Sequence, residues 1–286
     1  MMLNMLLIGS TSILGYHMVK LGDKRVVPVC HVNSDAWARG SVRVDLDNPG
    51  ALGAVVKAYG PQPLVYAHAV CNVNKCEQNA DWAWEVNVEN LRRFLENLPA
   101  DRRLVYLSSD HVFGQGGFCD ELTLPQPISV YGQTRIAAEK LVLARPNSMV
   151  IRTSLALGDS HDGCSGHWNW LKHRLGKDLP VTIITDEART TIWAPEAAWR
   201  IMKLANSRVN GMVHLSNGFY ISREQLAIEL CEIGMLGKQL KYDQRANQTY
   251  PHLGQVQLVS RRHEGRLLIN PLKQLALHVQ SQCPII

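Results

Sequence analysis

What the chain leaves out narrows it first. Residues 1–8 are apolar but far too few to cross a bilayer, and neither a basic head nor a small-residue cleavage site precedes Gly9. The expectation is a cytoplasmic protein with no membrane segment. Cysteine is sparse and unpatterned. The seven residues, Cys30, Cys71, Cys76, Cys119, Cys164, Cys231 and Cys283, are an odd number without a C-x-x-C pair, which argues against both a disulfide framework and a zinc knuckle. They read as reduced, mostly buried thiols. No run of Lys or Arg is long enough for a nucleic-acid arm, although the net charge is +5, so a nucleotide or phosphate is the expected anionic partner. Internal repeats and low-complexity tracts are absent too. What remains is 286 residues with 46% hydrophobic and 19% charged content, enough for one large α/β domain or a nucleotide domain with a smaller appendage.

The first half alternates short apolar runs with helical patterns, the rhythm of βαβ units around a parallel sheet. Strands are expected at residues 3–8, 26–30, 63–69, 103–108 and 149–153. Helices are expected at 12–21, 48–59, 81–98 and 130–144, the last with Ile136, Leu141 and Val142 on its apolar side. Beyond about Ser154 the alternation stops, and a His/Trp/Gly-rich segment at 158–170 opens a stretch of scattered Gly and Pro. The expected architecture is α/β. A Rossmann-type doubly wound parallel sheet covers residues 1–155, a smaller C-terminal substrate-binding lobe covers 156–286, and strand-like parts of 179–215 return to the first domain.

Gly9-Ser10-Thr11-Ser12-Ile13-Leu14-Gly15 falls between the first strand and its helix, where a Gly-rich turn lets backbone N–H groups and the helix N-terminus approach a pyrophosphate. Ser12 stands where the middle Gly of the pattern is expected. Its Cβ narrows the approach, and its hydroxyl offers a donor to a phosphate oxygen. At the end of the second strand, Pro28-Val29-Cys30-His31 has no carboxylate to bind ribose hydroxyls and repel a 2'-phosphate. NADP and NAD both stay open as cofactors, with His31, Arg39 or Arg43 as candidate phosphate partners and Asp45-Leu46-Asp47 as a stretch that reaches toward adenine. Tyr66-Ala67-His68-Ala69 ends the third long strand on the floor of the same site, where an aromatic or imidazole ring crowds a nucleotide.

Further on, Leu107-Ser108-Ser109-Asp110-His111-Val112-Phe113 and Tyr131-Gly132-Gln133-Thr134-Arg135 set a strand-end hydroxyl upstream of a Tyr that shares a helical face with a cation. That is the layout of a carbonyl-reducing Ser/Tyr/Lys site. A phenol titrates near about 10 and needs a neighbouring positive charge to work as an acid/base near neutrality. Arg135 supplies charge and hydrogen bonds, but it is bulkier than Lys, fork-shaped and unable to lose its proton.

These residues resemble the extended short-chain dehydrogenase/reductases, and among them the dTDP-4-dehydrorhamnose reductase family. The family's S-T-D-Y-V-F strand end is similar to Ser108-Ser109-Asp110-His111-Val112-Phe113, and its P-x-N-V-Y-G-x-[ST]-K to the stretch from Pro127 to Arg135. Its R-T-S resembles Arg152-Thr153-Ser154, its D-Q-x-G-x-P-T region Ile184-Thr185-Asp186 with Ala194-Pro195, its G-x-Y-H-L the run Gly211-Met212-Val213-His214-Leu215, and its R-P-x-N-S-x-L the run from Arg261 to Leu267. The resemblance implies a reductase of the keto group of a nucleotide-linked 4-keto-6-deoxy sugar. Ser109 would hydrogen-bond the carbonyl, Tyr131 deliver the proton and Arg135 hold the nicotinamide ribose, with Asp110, His111, Ser154, His167, Trp168 and Arg261 facing the substrate.

Departures gather in the same pocket. They are Arg135 for Lys, Ser12 in the Gly turn, His68 at the cofactor floor, His111 for Tyr, Asn74 for an acid, Arg262 for Pro and Glu264-Gly265 for Asn-Ser. They keep a second reading open: a nucleotide-binding regulatory or scaffold subunit of the same fold, as the regulatory beta subunit of methionine adenosyltransferase is. A sugar-nucleotide epimerase or dehydratase is a third, and a homodimer is compatible with all of them. His161, His167 and His173 lie near Asp159, Asp162 and Cys164, but their spacing matches no ordinary metal motif, so no metal site is expected. Trp168 and Trp170 suit either ligand stacking or core packing, and Trp82 and Trp84 read as packing or contact residues.

Overall fold

A computed structural model describes residues 4–34, 40–237 and 239–282; Arg39, Cys283 and the first residue of the strand expected at 3–8 lie outside them. In chain order the strands are β1 (Met5–Ile8), β2 (Val26–His31), β3 (Val42–Val44), β4 (Leu64–Tyr66), β5 (Leu104–Ser109), β6 (Gly116–Cys119), β7 (Ser148–Thr153), β8 (Leu155–Leu157), β9 (Val181–Ile184), β10 (Ala188–Trp193), β11 (Gly211–His214), β12 (Tyr220–Ser222), β13 (Leu240–Asp243) and β14 (Gln255–Leu258). The helices are α1 (Ile13–Gly22), α2 (Pro49–Ala58), α3 (Val73–Gln78), α4 (Ala80–Trp84), α5 (Asn90–Glu96), α6 (Val130–Leu143), α7 (Gly166–Leu175), α8 (Ala194–Ala205), α9 (Arg223–Ile233) and α10 (Pro271–Gln282).

Apolar residues at consecutive positions in β1, β4 and β5 demand cover on both faces, and they receive it. Met5 and Leu7 point into a core shared with Leu14 and Met18 of α1 and Ile201 of α8. Leu6 and Ile8 point the other way, toward Leu52 of α2, Phe94 of α5 and Val142 of α6. The main sheet runs β3-β2-β1-β4-β5-β7-β11, parallel throughout. This is a Rossmann-type doubly wound sheet. Its order reverses between β1 and β4, and ligands of such sheets bind in the crevice beyond the strand C-termini at that reversal.

The second half is built around a mixed sheet ordered β12-β10-β14-β6, with β8 also paired to β10. Its core gathers Trp168, Leu171, Ile183, Leu226, Leu230 and Leu275. The two halves interleave, because β6 comes from the first half and β11 returns to the main sheet beside β7.

Three expectations change. Residues 179–185 do not rejoin the main sheet, since β9 pairs with β13 and the edge beside β7 is taken by β11. The alternation within β9, with Val181 and Ile183 buried and Thr182 exposed, suits a sheet covered on one face only. The helix expected over 81–98 is interrupted, α4 and α5 being joined by a π-helical turn at Glu85–Glu89. In the segment 158–170, expected to be irregular, the last five residues belong to α7.

Candidate active site

The glycine turn sits at the crevice between β1 and β4. Gly9 has φ +86°, and a Cβ on it would come within 2.7 Å of the Ala67 and His68 backbone. The need for glycine there thus comes from the β4 end as well as from any phosphate. A Cβ on Gly15 would meet the Gly9 carbonyl oxygen at 2.7 Å and Ser12 Oγ at 2.8 Å. Ser12 is the N-cap of α1: its hydroxyl accepts from the Gly15 amide at 3.1 Å and donates to the Gly9 carbonyl at 2.9 Å. This corrects the expectation that the hydroxyl is available to a phosphate oxygen. The available donors are the amides of Ile13 and Leu14, which open α1 and so have no partner within the helix. The Leu14 side chain packs into the core, and the Ser10 hydroxyl is buried without a hydrogen-bond partner. Thr11 lies half-buried between them.

At the adenosine side of the crevice, His31 ends β2 with its Nε2 3.4 Å from Asp45 and 3.7 Å from Asp47. The carboxylate absent from the end of β2 is thus supplied in space by the loop after β3. The Arg43 guanidinium donates through Nη2 to the Val32 carbonyl. Leu46, 2% exposed, belongs to the core rather than to an adenine pocket. His68 leans 3.3 Å from Asp47 and holds that carboxyl below its ordinary range, linking the β4 end to the residues that precede α2. Ala67 and Ala69 stay half-buried around it.

The corner around Tyr131 forms where β5 and α6 meet. Ser109 ends β5, where its hydroxyl donates to Asp110 Oδ1 at 3.2 Å and accepts from the His111 amide at 3.3 Å. Burial pushes the Tyr131 phenol above its ordinary value, and the Arg135 guanidinium, one turn on, pulls it back only in part. The expected net depression by the cation is thus outweighed by desolvation. Arg135 is buried, 4.7 Å from the Tyr106 ring centroid and 5.7 Å from that of Tyr131, and its Nη2 donates to the Leu107 carbonyl. Its Nε and Nη1 have no partner. His111 stands edge-on to the Tyr131 ring at 5.2 Å, and burial lowers its pKa to about 4, leaving it neutral near pH 7.

Two residues assigned to substrate turn out to brace this corner. Asp110 is 0% exposed. It takes a side-on pair of hydrogen bonds from Arg189 Nε, at 3.0 Å, and Nη2, at 2.5 Å, and it accepts one more from the Ser154 hydroxyl. Burial works against its charge, and Arg189 and then His111 outweigh it, so the carboxyl stays ionised below its usual range. With both oxygens and the Ser154 hydroxyl engaged, neither side chain is free for a sugar. Arg189 also lies 3.9 Å from Glu187, which pairs with Arg223 at 3.8 Å and His252 at 3.3 Å. The Arg223 guanidinium reaches His167 at 3.2 Å, and that ring stacks on Trp170. Trp168, 2% exposed, is a core residue of the second lobe and has no free face for a ligand. Arg261, with its side chain 62% exposed, holds Asp120 at 3.1 Å, and nothing brings it to Tyr131.

Sequence reasoning missed the residues that fix this geometry. Glu139, one turn beyond Arg135, binds Ser108 Oγ at 2.5 Å and Arg152 Nη2 at 2.6 Å, tying α6 to β5 and β7. Asn87, on the π-helical turn, hydrogen-bonds both the amide and the carbonyl of Val70 and the Thr134 hydroxyl. Such single π turns recur at functional sites. Among the described residues, the His and carboxylate atoms that converge as a metal site would are those of His31, Asp45 and Asp47, not the His161, His167 and His173 group.

Parallel order and the crevice at its reversal together define a Rossmann-type α/β protein. Within that class the chain belongs to the RmlD substrate binding domain family, whose model matches residues 2–251. It is 25% identical over 199 residues to the "Probable low-salt glycan biosynthesis reductase Agl14" of Haloferax volcanii, covering 67% of this chain and 66% of that protein. The chain spans about two thirds or less of the length of the curated relatives it matches. Among solved structures it is similar to a hypothetical dTDP-4-dehydrorhamnose reductase from Sulfolobus tokodaii, with TM-score 0.76, 25% identity and coverage of 90% and 91% of the two chains. The dTDP-4-dehydrorhamnose reductase of Bacillus anthracis in complex with NADP shares the fold at TM-score 0.77 and 17% identity, over 99% of this chain and 100% of that one. No described helix is long and apolar enough to cross a membrane.

Proposed function

We propose that the chain is an NAD(P)H-dependent reductase of a nucleotide-linked 4-keto-6-deoxy sugar, of the dTDP-4-dehydrorhamnose reductase type. The observation that carries this reading is Tyr131 beside a buried cation, with Ser109 at the end of β5, at the same sheet edge as the β1/β4 crevice. The residues present fit a dinucleotide. The Ile13 and Leu14 amides and the α1 N-terminus would hold the pyrophosphate. Arg135, stacked over the Tyr106 and Tyr131 rings, would supply the positive charge on the nicotinamide side. The adenosine would lie against His31, Asp45 and Asp47, with NADP and NAD both admitted. Once bound, the reduced nicotinamide supplies the hydride.

The protein's own part is the proton. Ser109 orients the substrate carbonyl. Tyr131, its phenol kept protonated by burial, donates to the oxygen as charge develops there. Arg135 then faces the resulting phenolate at close range and steadies it. His111, neutral and half-buried beside Tyr131, is the side chain placed to touch the sugar. The reaction belongs to the cytoplasm, where nucleotide sugars are made, and a homodimer is the proposed assembly, with the exposed Trp82 and Trp84 of α4 as contact candidates.

Calorimetric titration with NADPH and NADH, followed by turnover with dTDP-4-keto-6-deoxyhexose, tests the reading. Binding of at least one cofactor and its oxidation by the sugar nucleotide are expected. Failure to bind either cofactor, with no turnover, would overturn the reductase and leave the regulatory subunit.

A further inference from the structure

Two cysteines flank the start of α3, on the stretch that leads from the end of β4 at the crevice. Asn72 caps that helix, its side chain accepting from the Lys75 amide at 3.0 Å. Cys71 thus stands just before the cap and Cys76 four residues after it, the two positions whose side chains pack on each other across a helix start. Cys76 Sγ lies 3.8 Å from the Val70 carbonyl oxygen, which standard peptide geometry puts about 2.8 Å from the next Cα, so Sγ is within about 6.6 Å of the Cys71 Cα. Val70 is itself fixed, because Asn87 bonds both its amide and its carbonyl.

The two thiols differ in access. Cys71 is exposed, whereas Cys76 is 0% exposed. Solvent reaches Cys71, yet the surrounding protein desolvates it enough to raise its pKa, and Arg135 pulls it back only in part. Burial pushes the Cys76 thiol up to about 11. Both are therefore protonated near pH 7. An accessible cysteine backed by a second one is the arrangement of a sensor and its resolving partner.

The buried thiol is also tied to Tyr131. Cys76, Ala83 and Tyr131 share one buried cluster, with Val70, Val73 and Val130 around it. Glu77, the next residue, accepts from the Val130 amide at 2.7 Å, at the first residue of α6.

We infer that Cys71 and Cys76 form a reversible disulfide under peroxide, an oxidation site whose closure loosens the start of α6 and so the seat of Tyr131. The Cys71 thiolate attacks one peroxide oxygen; the O–O bond breaks, hydroxide leaves and a sulfenic acid forms. Cys76, having lost its proton, attacks that sulfur. The S–S bond forms as the S–O bond breaks, and the oxygen leaves as water. Two thiols are oxidised, and one hydrogen peroxide is reduced to two waters. Drawing Cys76 Sγ toward Cys71 takes it off the Val70 carbonyl and moves Glu77 away from Val130.

Trypsin cuts after Lys57, Lys75 and Arg92, so the two cysteines fall on separate peptides, 58–75 and 76–92. Mass spectrometry of the full chain treated with hydrogen peroxide should find these peptides linked, and dithiothreitol should part them. Hydrogen exchange over residues 130–135 should quicken about five- to tenfold in the linked form, the effect of losing one hydrogen bond to a carboxylate. Neither readout depends on the reductase reading. On that reading, turnover should also fall about tenfold or more, as a displaced acid implies, and return with dithiothreitol. Cys71→Ser should show none of these responses to peroxide. Absence of the linked peptide, a link without faster exchange, undiminished turnover of the linked form, or the same responses in Cys71→Ser would each overturn the inference. Absence of turnover before and after oxidation would instead sink the reductase reading, with the linked peptide and the exchange rates still deciding the disulfide.

Discussion

The crevice and the Tyr131 corner lie at one sheet edge and are held in opposite ways. In the Gly9–Gly15 turn the fixed contacts close over three residues, from Ser12 to Gly9 and to Gly15, or onto the adjoining end of β4. Around Tyr131 the contacts are remote. Asp110 is held by Arg189, 79 residues away, and Thr134 by Asn87, 47 residues away. A site closed locally tolerates change by small steps, while one braced by buried ions fails when a single partner is removed. The chemistry of the proposed reductase rests on the second kind.

The largest effect should come from Tyr131→Phe, which removes the proton donor and leaves the ring. Turnover should fall by about 10² to 10⁴ with cofactor affinity retained, as losses of general acids do; steady-state rates and calorimetry on the same protein check both halves. Next is Arg189→Met, which leaves Asp110 buried without its cation and should cost about 3–5 kcal/mol of stability in urea unfolding. If the corner is braced as described, Asp110→Asn combined with Arg189→Met should cost less than the sum of the two single changes.

The pH dependence follows from imidazoles whose pKa desolvation lowers, among them His167, well below 6.5. Burial lowers His17, His111 and His214 from 6.5 to about 4 in the folded chain. Between those values the unfolded state binds more protons, so stability present above pH 6.5 is lost progressively as pH falls toward 4. Thermal midpoints across that window should drop steadily, and His111→Asn should flatten the drop. Its persistence at full slope would place His111 in water.

The smallest effect is expected in the crevice. Ser12→Ala removes the α1 cap and should cost about 1 kcal/mol, yet leave NADPH affinity nearly unchanged, because the hydroxyl is already bonded to Gly9 and Gly15. A large loss of affinity would show that the hydroxyl turns toward phosphate when the cofactor binds.

This division also explains what the sequence made legible. The βαβ rhythm, the Gly9 turn and the Ser109/Tyr131/Arg135 set are patterns of a few residues, and the fold places them at one edge. Local spacing could not show that Asp110 and Ser154 face Arg189 instead of a sugar, since β10 meets β5's end only through the second sheet. Nor could it show that Asp45 and Asp47 supply the acid missing from β2, because that depends on β3 lying beside it. At the break over Glu85–Glu89, which carries Asn87, Trp82, Trp84, Val86 and Val88 recur every two residues, a departure from helical spacing that the expectation of one helix passed over.

The central claim is hydride transfer to a sugar ketone with Tyr131 as the acid, and isotopic transfer tests it most directly. The protein is incubated with NADPH deuterated at the transferable position of the nicotinamide ring and with dTDP-4-keto-6-deoxyhexose, and the sugar is examined by NMR. The account predicts deuterium at C4 of a reduced 6-deoxyhexose. A sugar recovered as the ketone, or altered with no deuterium at C4, would contradict it.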